Sequence, residues 1–239
     1  MALFKSLKER FSRQAKAGFD QKKIQKQHCL VVGVGGLGSI VGLQLAMIGV
    51  NKISLVDMDT VETSNLNRQF FYEKDVTESK VKALGNKLKL LNSNLNIDEY
   101  EQKIEKTNGL IKNADYIFDC LDNIQTREYL NKECIKHNKP LIHAGCSDKI
   151  GEIQMIDPKK TACLECNPYP EKMKEDKRSC GDFDPSICTT NFIVAALQID
   201  MFLNHIFKKS NKSFISYIRD KSLSYGKVPK MKSCKVCSQ

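Results

Sequence analysis

The stretch Val31-Val32-Gly33-Val34-Gly35-Gly36-Leu37-Gly38 drives an apolar segment straight into a glycine-dense turn. Leu55-Val56-Asp57-Met58-Asp59 follows about twenty residues further on. Few folds accept that pair of features. The apolar residues 29–32 suit a strand buried on both faces, and residues 40–48 supply the helix that follows it. Glycines let the backbone reverse sharply and lie against a phosphate, at the amide end of that helix. Asp57 closes the second apolar strand, where a carboxylate can take the hydroxyls of a ribose. Strand, turn, helix and acid in register predict a nucleotide site and leave the nucleotide open.

The rest of the chain extends this rhythm. Residues 29–32, 53–56, 116–120 and 141–144 read as short buried strands, with helices over 40–48, 79–91 and 124–138. Alternation of this kind predicts an α/β fold with a doubly wound, mostly parallel Rossmann-like sheet. At Glu152-Ile153-Gln154-Met155-Ile156-Asp157-Pro158 the pattern becomes an alternating strand, as added antiparallel strands would show. A Pro-, Lys- and Cys-rich loop follows over 158–185, then an apolar helix over 187–207. The expected organisation is an N-terminal helical segment (1–27), a central domain (28–207) and a basic C-terminal tail (208–239). No internal repeat and no flexible linker interrupts it.

Charge and cysteine content narrow the class. The formal net charge is +10 over 239 residues. Nine basic residues against Asp220 alone lie from Lys208 onward, so nearly all of the excess sits in the tail. Such a tail can dock an acidic protein partner or, less readily, nucleic acid, while the Lys- and Asn-rich background of the whole chain also suits a plain solvated tail. No apolar run reaches membrane-spanning length, and residues 1–13 lack a secretory pattern, so a cytoplasmic protein is expected. Ten cysteines without a secretory signal point to metal or thiolate chemistry. Cys163-Leu164-Glu165-Cys166 and Cys234-Lys235-Val236-Cys237 have the spacing at which each pair can face one tetrahedral Zn²⁺, a redox dithiol being the other reading.

Asp59 is followed by Thr60-Val61-Glu62-Thr63-Ser64-Asn65-Leu66-Asn67-Arg68-Gln69. Together with the glycine turn, Lys80-Val81, and Asp119-Cys120-Leu121-Asp122-Asn123, this order of motifs resembles the ubiquitin-activating E1-like superfamily. The resemblance is to the bacterial branch holding the adenylyltransferases of thiamin and molybdopterin biosynthesis, and it covers residues 10–207. It implies ATP and Mg²⁺ rather than NAD. It places Gly33, Gly35, Gly36, Gly38, Asp57 and Asp59 around the nucleotide, with Asp57 on the ribose. Asn65, Arg68 and Lys80 fall on the phosphates, and Asp122, with Asn123 beside it, on the metal. These types fit such roles: arginine offers phosphate a planar fork, lysine a compact charge, and a carboxylate suits a hard cation.

The resemblance implies more. Arg10-Phe11-Ser12-Arg13-Gln14 is similar to an arginine motif whose second arginine, here Arg13, enters the active site of the other subunit of a homodimer. The four knuckle cysteines would hold a structural Zn²⁺, closed to water. Ile187-Cys188-Thr189-Thr190-Asn191 resembles the place of a thioester-forming cysteine, making Cys188 the candidate nucleophile and Cys180 the second. Cys29, Cys120, Cys134 and Cys146 read as core, and the four histidines receive no role. Departures from the family pattern are Asn92-Ser93, Glu78 before the lysine pair, and the absence of small glycines in 192–203.

The expected activity is therefore ATP-dependent adenylylation of the C-terminal glycine of a ubiquitin-like or sulfur-carrier protein ending in Gly-Gly. Transfer to a cysteine is a further possible step. An NAD-dependent oxidoreductase accounts for the glycine turn and Asp57 but leaves Asn65, Arg68, Lys80 and Asp122 without work. A non-catalytic adaptor accounts for the fold but gives no reason for those side chains.

Overall fold

The computed structural model describes residues 9–107, 109–167 and 185–238. Two short helices, α1 (Ser12–Lys16) and α2 (Gln21–Gln25), precede the first strand β1 (His28–Val32). The order then runs α3 (Gly36–Ile48), β2 (Lys52–Val56), α4 (Lys80–Leu91), β3 (Asn96–Tyr100), α5 (Leu110–Asn113) and β4 (Tyr116–Asp119). It continues with α6 (Ile124–Lys136), β5 (Leu141–Cys146), β6 (Ile150–Ile156), α7 (Cys188–Phe207), β7 (Phe214–Ile218) and β8 (Ser222–Gly226).

The strands form one eight-stranded sheet in the order β3-β2-β1-β4-β5-β6-β7-β8. β3, β2, β1, β4 and β5 are parallel neighbours, while β6, β7 and β8 add on antiparallel. Four of the five residues of β1 and of β2 are buried, which is why these strands read as continuous apolar runs. Alternate residues feed two cores. Cys29, Val31, Leu55, Phe118 and Ile142 face α3, α4 and α7 on one side. Leu30, Val32, Ile117 and Leu141 meet α5, α6 and the cysteine knuckles on the other.

The chain leaves β1 toward β2 and β3 on one side and later returns to lay β4 on the other. That makes the crevice beyond the C-terminal ends of β1 and β4 the topological switch point, where ligands bind in sheets of this type. α3 opens at the glycine turn with Gly35 as its N-cap and stops at Gly49, whose φ of 91° is a left-handed C-terminal cap.

Two stretches differ from expectation. β3 is a polar edge strand, and its sequence Asn96-Ile97-Asp98-Glu99-Tyr100 carries no buried alternation to reveal it. Residues 208–239, read as a tail, supply β7 and β8, a hairpin turning at Asp220 with φ of 61°. β8 is the edge strand, exposed on both faces, so its serines and the exposed Leu223 and Tyr225 show no buried alternation. Most of the loop over 158–185, and Cys180 with it, lies outside the described residues.

Candidate active site

The glycines of the turn act by close approach. Gly33 has φ of 86°, and a Cβ there would lie 2.6 Å from the Cys120 carbonyl oxygen, so the turns after β1 and β4 touch. A Cβ on Gly38 would come within 1.8 Å of the Gly33 carbonyl oxygen. One on Gly36 would meet Asn191 Oδ1 at 2.5 Å, which packs the first turn of α7 against the first turn of α3. Gly35 differs, because its nearest neighbour would be Gln69 Nε2 at 3.8 Å and the space over it is otherwise open. The leading amides of α3 have no intrahelical acceptor there.

Asp57 sits beside that opening at the end of β2. Its Oδ2 accepts from the Val34 amide at 2.6 Å and its Oδ1 from the Asp59 amide at 2.9 Å, so the carboxylate is aimed by backbone alone. Burial pushes its pKa up, against the pull of Lys80 and of those two amides. Lys80 is buried, and its Nζ lies 2.8 Å from Asp59 Oδ2. Asn65 is also buried; its Oδ1 accepts from the Glu62 amide and closes the turn that presents the next residues. Arg68 Nη1 donates to the Ser64 carbonyl at 2.7 Å and to Asn67 Oδ1 at 2.9 Å. Gln69 Oε1 is a buried acceptor with no donor in reach among the described residues, next to the open face of Gly35.

From β4 the backbone passes Asp119, Cys120 and Leu121 into exposed Asp122, and Asn123 caps α6 by accepting from the Thr126 amide at 2.9 Å. Sequence reasoning missed two side chains here. Arg127 is buried, with Nε 3.1 Å from the Leu121 carbonyl oxygen and Nη2 on the same oxygen and 3.4 Å from the Ala144 carbonyl oxygen. His143 is fully enclosed, with Nδ1 2.7 Å from Asp119 Oδ2 and Nε2 3.7 Å from Glu152 Oε1. Burial works against a charged imidazole, yet pairing with Asp119 raises its pKa overall. A histidine inside the apolar run Leu141-Ile142-His143-Ala144, and a cation in the first turns of α6 where the dipole favours anions, were the available signals.

Cys188 opens α7, one turn before Asn191 and the glycine turn. It is a partly buried free thiol. Cys29, Cys120 and Cys134 are buried, whereas Cys146 is only partly so. Arg13 lies elsewhere: α1 is pinned by Gln14 Nε2 on the Ile48 carbonyl at 2.8 Å and by Phe11 against Gly49, at the far end of α3.

On the opposite face of the sheet the Sγ atoms of Cys163, Cys166, Cys234 and Cys237 lie within 4.8 Å of one another, all four residues buried. Cys163 to Cys234 is 3.6 Å, Cys166 to Cys237 3.4 Å and Cys163 to Cys166 4.0 Å. Four sulfurs about 2.3 Å from one Zn²⁺ would stand about 3.8 Å apart, so the set fits that ion. Burial opposes ionisation of Cys234, but the Val236 and Cys237 amides and the neighbouring thiols bring its pKa down to about 7.

A doubly wound sheet with a glycine turn and a backbone-held carboxylate at its switch point, Asn65, Arg68 and Lys80 on the segments that follow, and a four-cysteine knuckle behind is the architecture of an E1-like protein. Residues 7–237 match the ThiF family, and the chain belongs to it. It is 34% identical over 166 residues to adenylyltransferase and sulfurtransferase MOCS3-1 of Zea mays, covering 68% of this chain and 35% of that protein. It is 30% identical over 209 residues to ubiquitin-like modifier-activating enzyme 5 of Bombyx mori, covering 80% and 53%. The chain thus spans about half or less of the length of these relatives. Among solved structures, E. coli MccB with MccA-N7isoASN superposes with a TM-score of 0.84 at 26% identity, covering 97% of this chain and 75% of that one. MccB with ATP superposes at 0.77 and 27% identity, covering 92% and 69%. Among the described residues no helix is long and apolar enough to cross a membrane.

Proposed function

We propose that this protein is an ATP-dependent adenylyltransferase acting on the C-terminal carboxylate of a ubiquitin-like or sulfur-carrier protein that ends in Gly-Gly. A carboxylate oxygen attacks the α-phosphorus, the bond to the β-phosphate oxygen breaks, and an acyl-adenylate and pyrophosphate result. Charge builds on phosphoryl oxygens, so the reaction needs cations and alignment more than a strong base. The observation that supports the reading is the set of groups at the switch point: open space over Gly35, the backbone-held carboxylate of Asp57, and Lys80, Asn65 and Arg68 on the segments that follow. A hydride-transfer enzyme has no use for these last three.

Lys80 is held by Asp59 and delivers a fixed cation, while Arg68 has spare guanidinium hydrogens for a polyphosphate. Asp122, projecting from the β4 turn with Asn123 beside it, would hold Mg²⁺ together with the phosphates; one carboxylate plus substrate oxygens is a common donor set for that ion. Bound there, Mg²⁺ would neutralise charge building on the phosphates. Cys188 stands where the acyl group could next be received, and loss of a thiol-labile carrier adduct in Cys188→Ala tests that step.

We place the protein in the cytoplasm as a homodimer, since Arg13 needs a second subunit. α3 has 13 residues and separates α1 from the glycine turn by about 18 Å, more than an arginine side chain can span. The site of its own subunit is out of reach, so the finger would enter the partner's. The decisive experiment is pyrophosphate exchange into ATP with proteins or peptides ending in Gly-Gly. Carrier-dependent exchange supports the reading; tight NAD binding without exchange refutes it.

A further inference from the structure

We propose that Arg127 is the positioning residue that fixes the Leu121–Asn123 turn, and with it the carboxylate of Asp122, by stapling that turn to the end of β5. The inference rests on the proposed reaction and goes beyond it by naming the group that sets its metal response. Asp122 itself is exposed and sits on a turn between β4 and α6, where a side chain left to itself samples several positions. A metal carboxylate needs a defined one. Three backbone contacts locate the turn: the Leu121 amide donates to Asp119 Oδ1 at 3.1 Å, the Leu121 carbonyl accepts from the Arg127 guanidinium, and the Asn123 carbonyl accepts from the Arg127 amide at 3.3 Å. The Leu121 carbonyl belongs to the peptide unit leading directly into Asp122.

The guanidinium reaches further. Nη2 also lies 3.4 Å from the Ala144 carbonyl oxygen, 17 residues further along the chain, so one planar group joins the turn after β4 to the strand beside it. The group is buried, and the charges around it alternate: Asp119, His143 and Glu152 form a chain beside it. Burial alone would raise the Glu152 carboxyl, but His143 first and Arg127 after it hold it low, so Glu152 is an anion beside the Arg127 guanidinium and the His143 ring. Arg127 is thus both a geometric staple and the counter-charge that keeps this buried cluster balanced.

Those two duties separate by substitution. Lysine keeps the charge but has a single point donor, so it can hold one carbonyl and not the fork geometry. Arg127→Lys is therefore the informative variant. Arg127→Leu strips the charge as well and leaves His143 as the printed partner of both Asp119 and Glu152, so it serves only as a folding control. Glu152→Gln is the second control, because it disturbs the charge balance while leaving the staple in place.

The test has two readouts. The first uses protein without nucleotide or metal: hydrogen exchange of the Asp122 and Asn123 amides should speed up at least tenfold in Arg127→Lys and stay near wild type in Glu152→Gln. The second uses ATP–pyrophosphate exchange against Mg²⁺: the half-saturating Mg²⁺ concentration should rise at least tenfold in Arg127→Lys, with the rate at saturating Mg²⁺ kept within about threefold. Asp122→Asn, by contrast, should lose activity at every Mg²⁺ concentration. A folded Arg127→Lys with wild-type amide exchange and wild-type Mg²⁺ response overturns the assignment, as does an equal shift in Glu152→Gln. Wild-type protein that binds no ATP with Mg²⁺ overturns the proposed reaction itself, and the parallel wild-type measurement tells that failure from the first.

Discussion

Gly35→Ala should separate stability from nucleotide binding. The Cβ would sit in open space, its nearest neighbour Gln69 Nε2 at 3.8 Å, and the backbone has φ of −89°, outside the left-handed region. What remains is exchange of glycine for alanine at an N-cap, worth about 1 kcal/mol at most. For a chain of 239 residues that is a Tm shift of about 2–4 °C. The open space is where a phosphate would rest on the amide end of α3, so the methyl group displaces the ligand rather than the fold. Losing that approach should weaken ATP binding by at least about tenfold, or about 1.4 kcal/mol. Gly38→Ala is the contrast: its Cβ would lie 1.8 Å from the Gly33 carbonyl oxygen, so backbone must move, at about 3 kcal/mol or more. Thermal melts and calorimetric titration with ATP on both variants decide the matter. If Gly35→Ala binds ATP as wild type does, no phosphate lies against that glycine and the placement of the nucleotide fails.

Three further outcomes follow from other parts of the molecule. Cys234→Ser should lower bound zinc below one equivalent and open residues 227–238 to protease, since Cys234 and Cys237 tie that segment to Cys163 and Cys166; full zinc retention would refute the clamp. Asp57 has a folded pKa above its ordinary 3.8, so the stability tied to its neutral form is complete below that value and declines as pH rises through the elevated one. Asp57→Asn abolishes that titration, so its Tm relative to wild type should climb as pH rises above about 4, while ATP binding is lost; a pH-independent difference counts against the buried carboxylate. Mixing inactive Arg13→Ala with inactive Lys80→Ala should restore part of the exchange activity, because a mixed dimer holds one site with its own lysine and an intact finger from the partner. No recovery after subunit exchange is shown would mean that Arg13 does not act across subunits.

Which parts of this site are legible in sequence depends on where their partners lie. Gly33 must be glycine for its φ of 86° as well as for the approach of the Cys120 carbonyl, and Gly38 for the Gly33 carbonyl five residues back, so the residue type carries the information even though one of these neighbours is distant in sequence. Asp57 is placed by amides at Val34 and Asp59 and by its position at the end of an apolar strand, a local pattern. The knuckles are legible because a Cys pair at that spacing faces one point whatever lies between the pairs. Arg127 and His143 are the opposite case. Their partners, Leu121, Ala144, Asp119 and Glu152, come together only once β4, β5 and β6 are laid side by side, and nothing in a single strand states that order. The hairpin of β7 and β8 was hidden for the same reason: Ile215 is buried because Ile153 of β6 lies opposite it, while Leu223 and Tyr225 remain exposed on the sheet edge. The groups proposed to touch nucleotide are thus set by short-range rules, and the groups that hold their carrier turns in place are set by the sheet. A chain could keep every motif of the glycine turn, the phosphate stretch and the Asp122-Asn123 pair, and still lose its metal response through a change at Arg127.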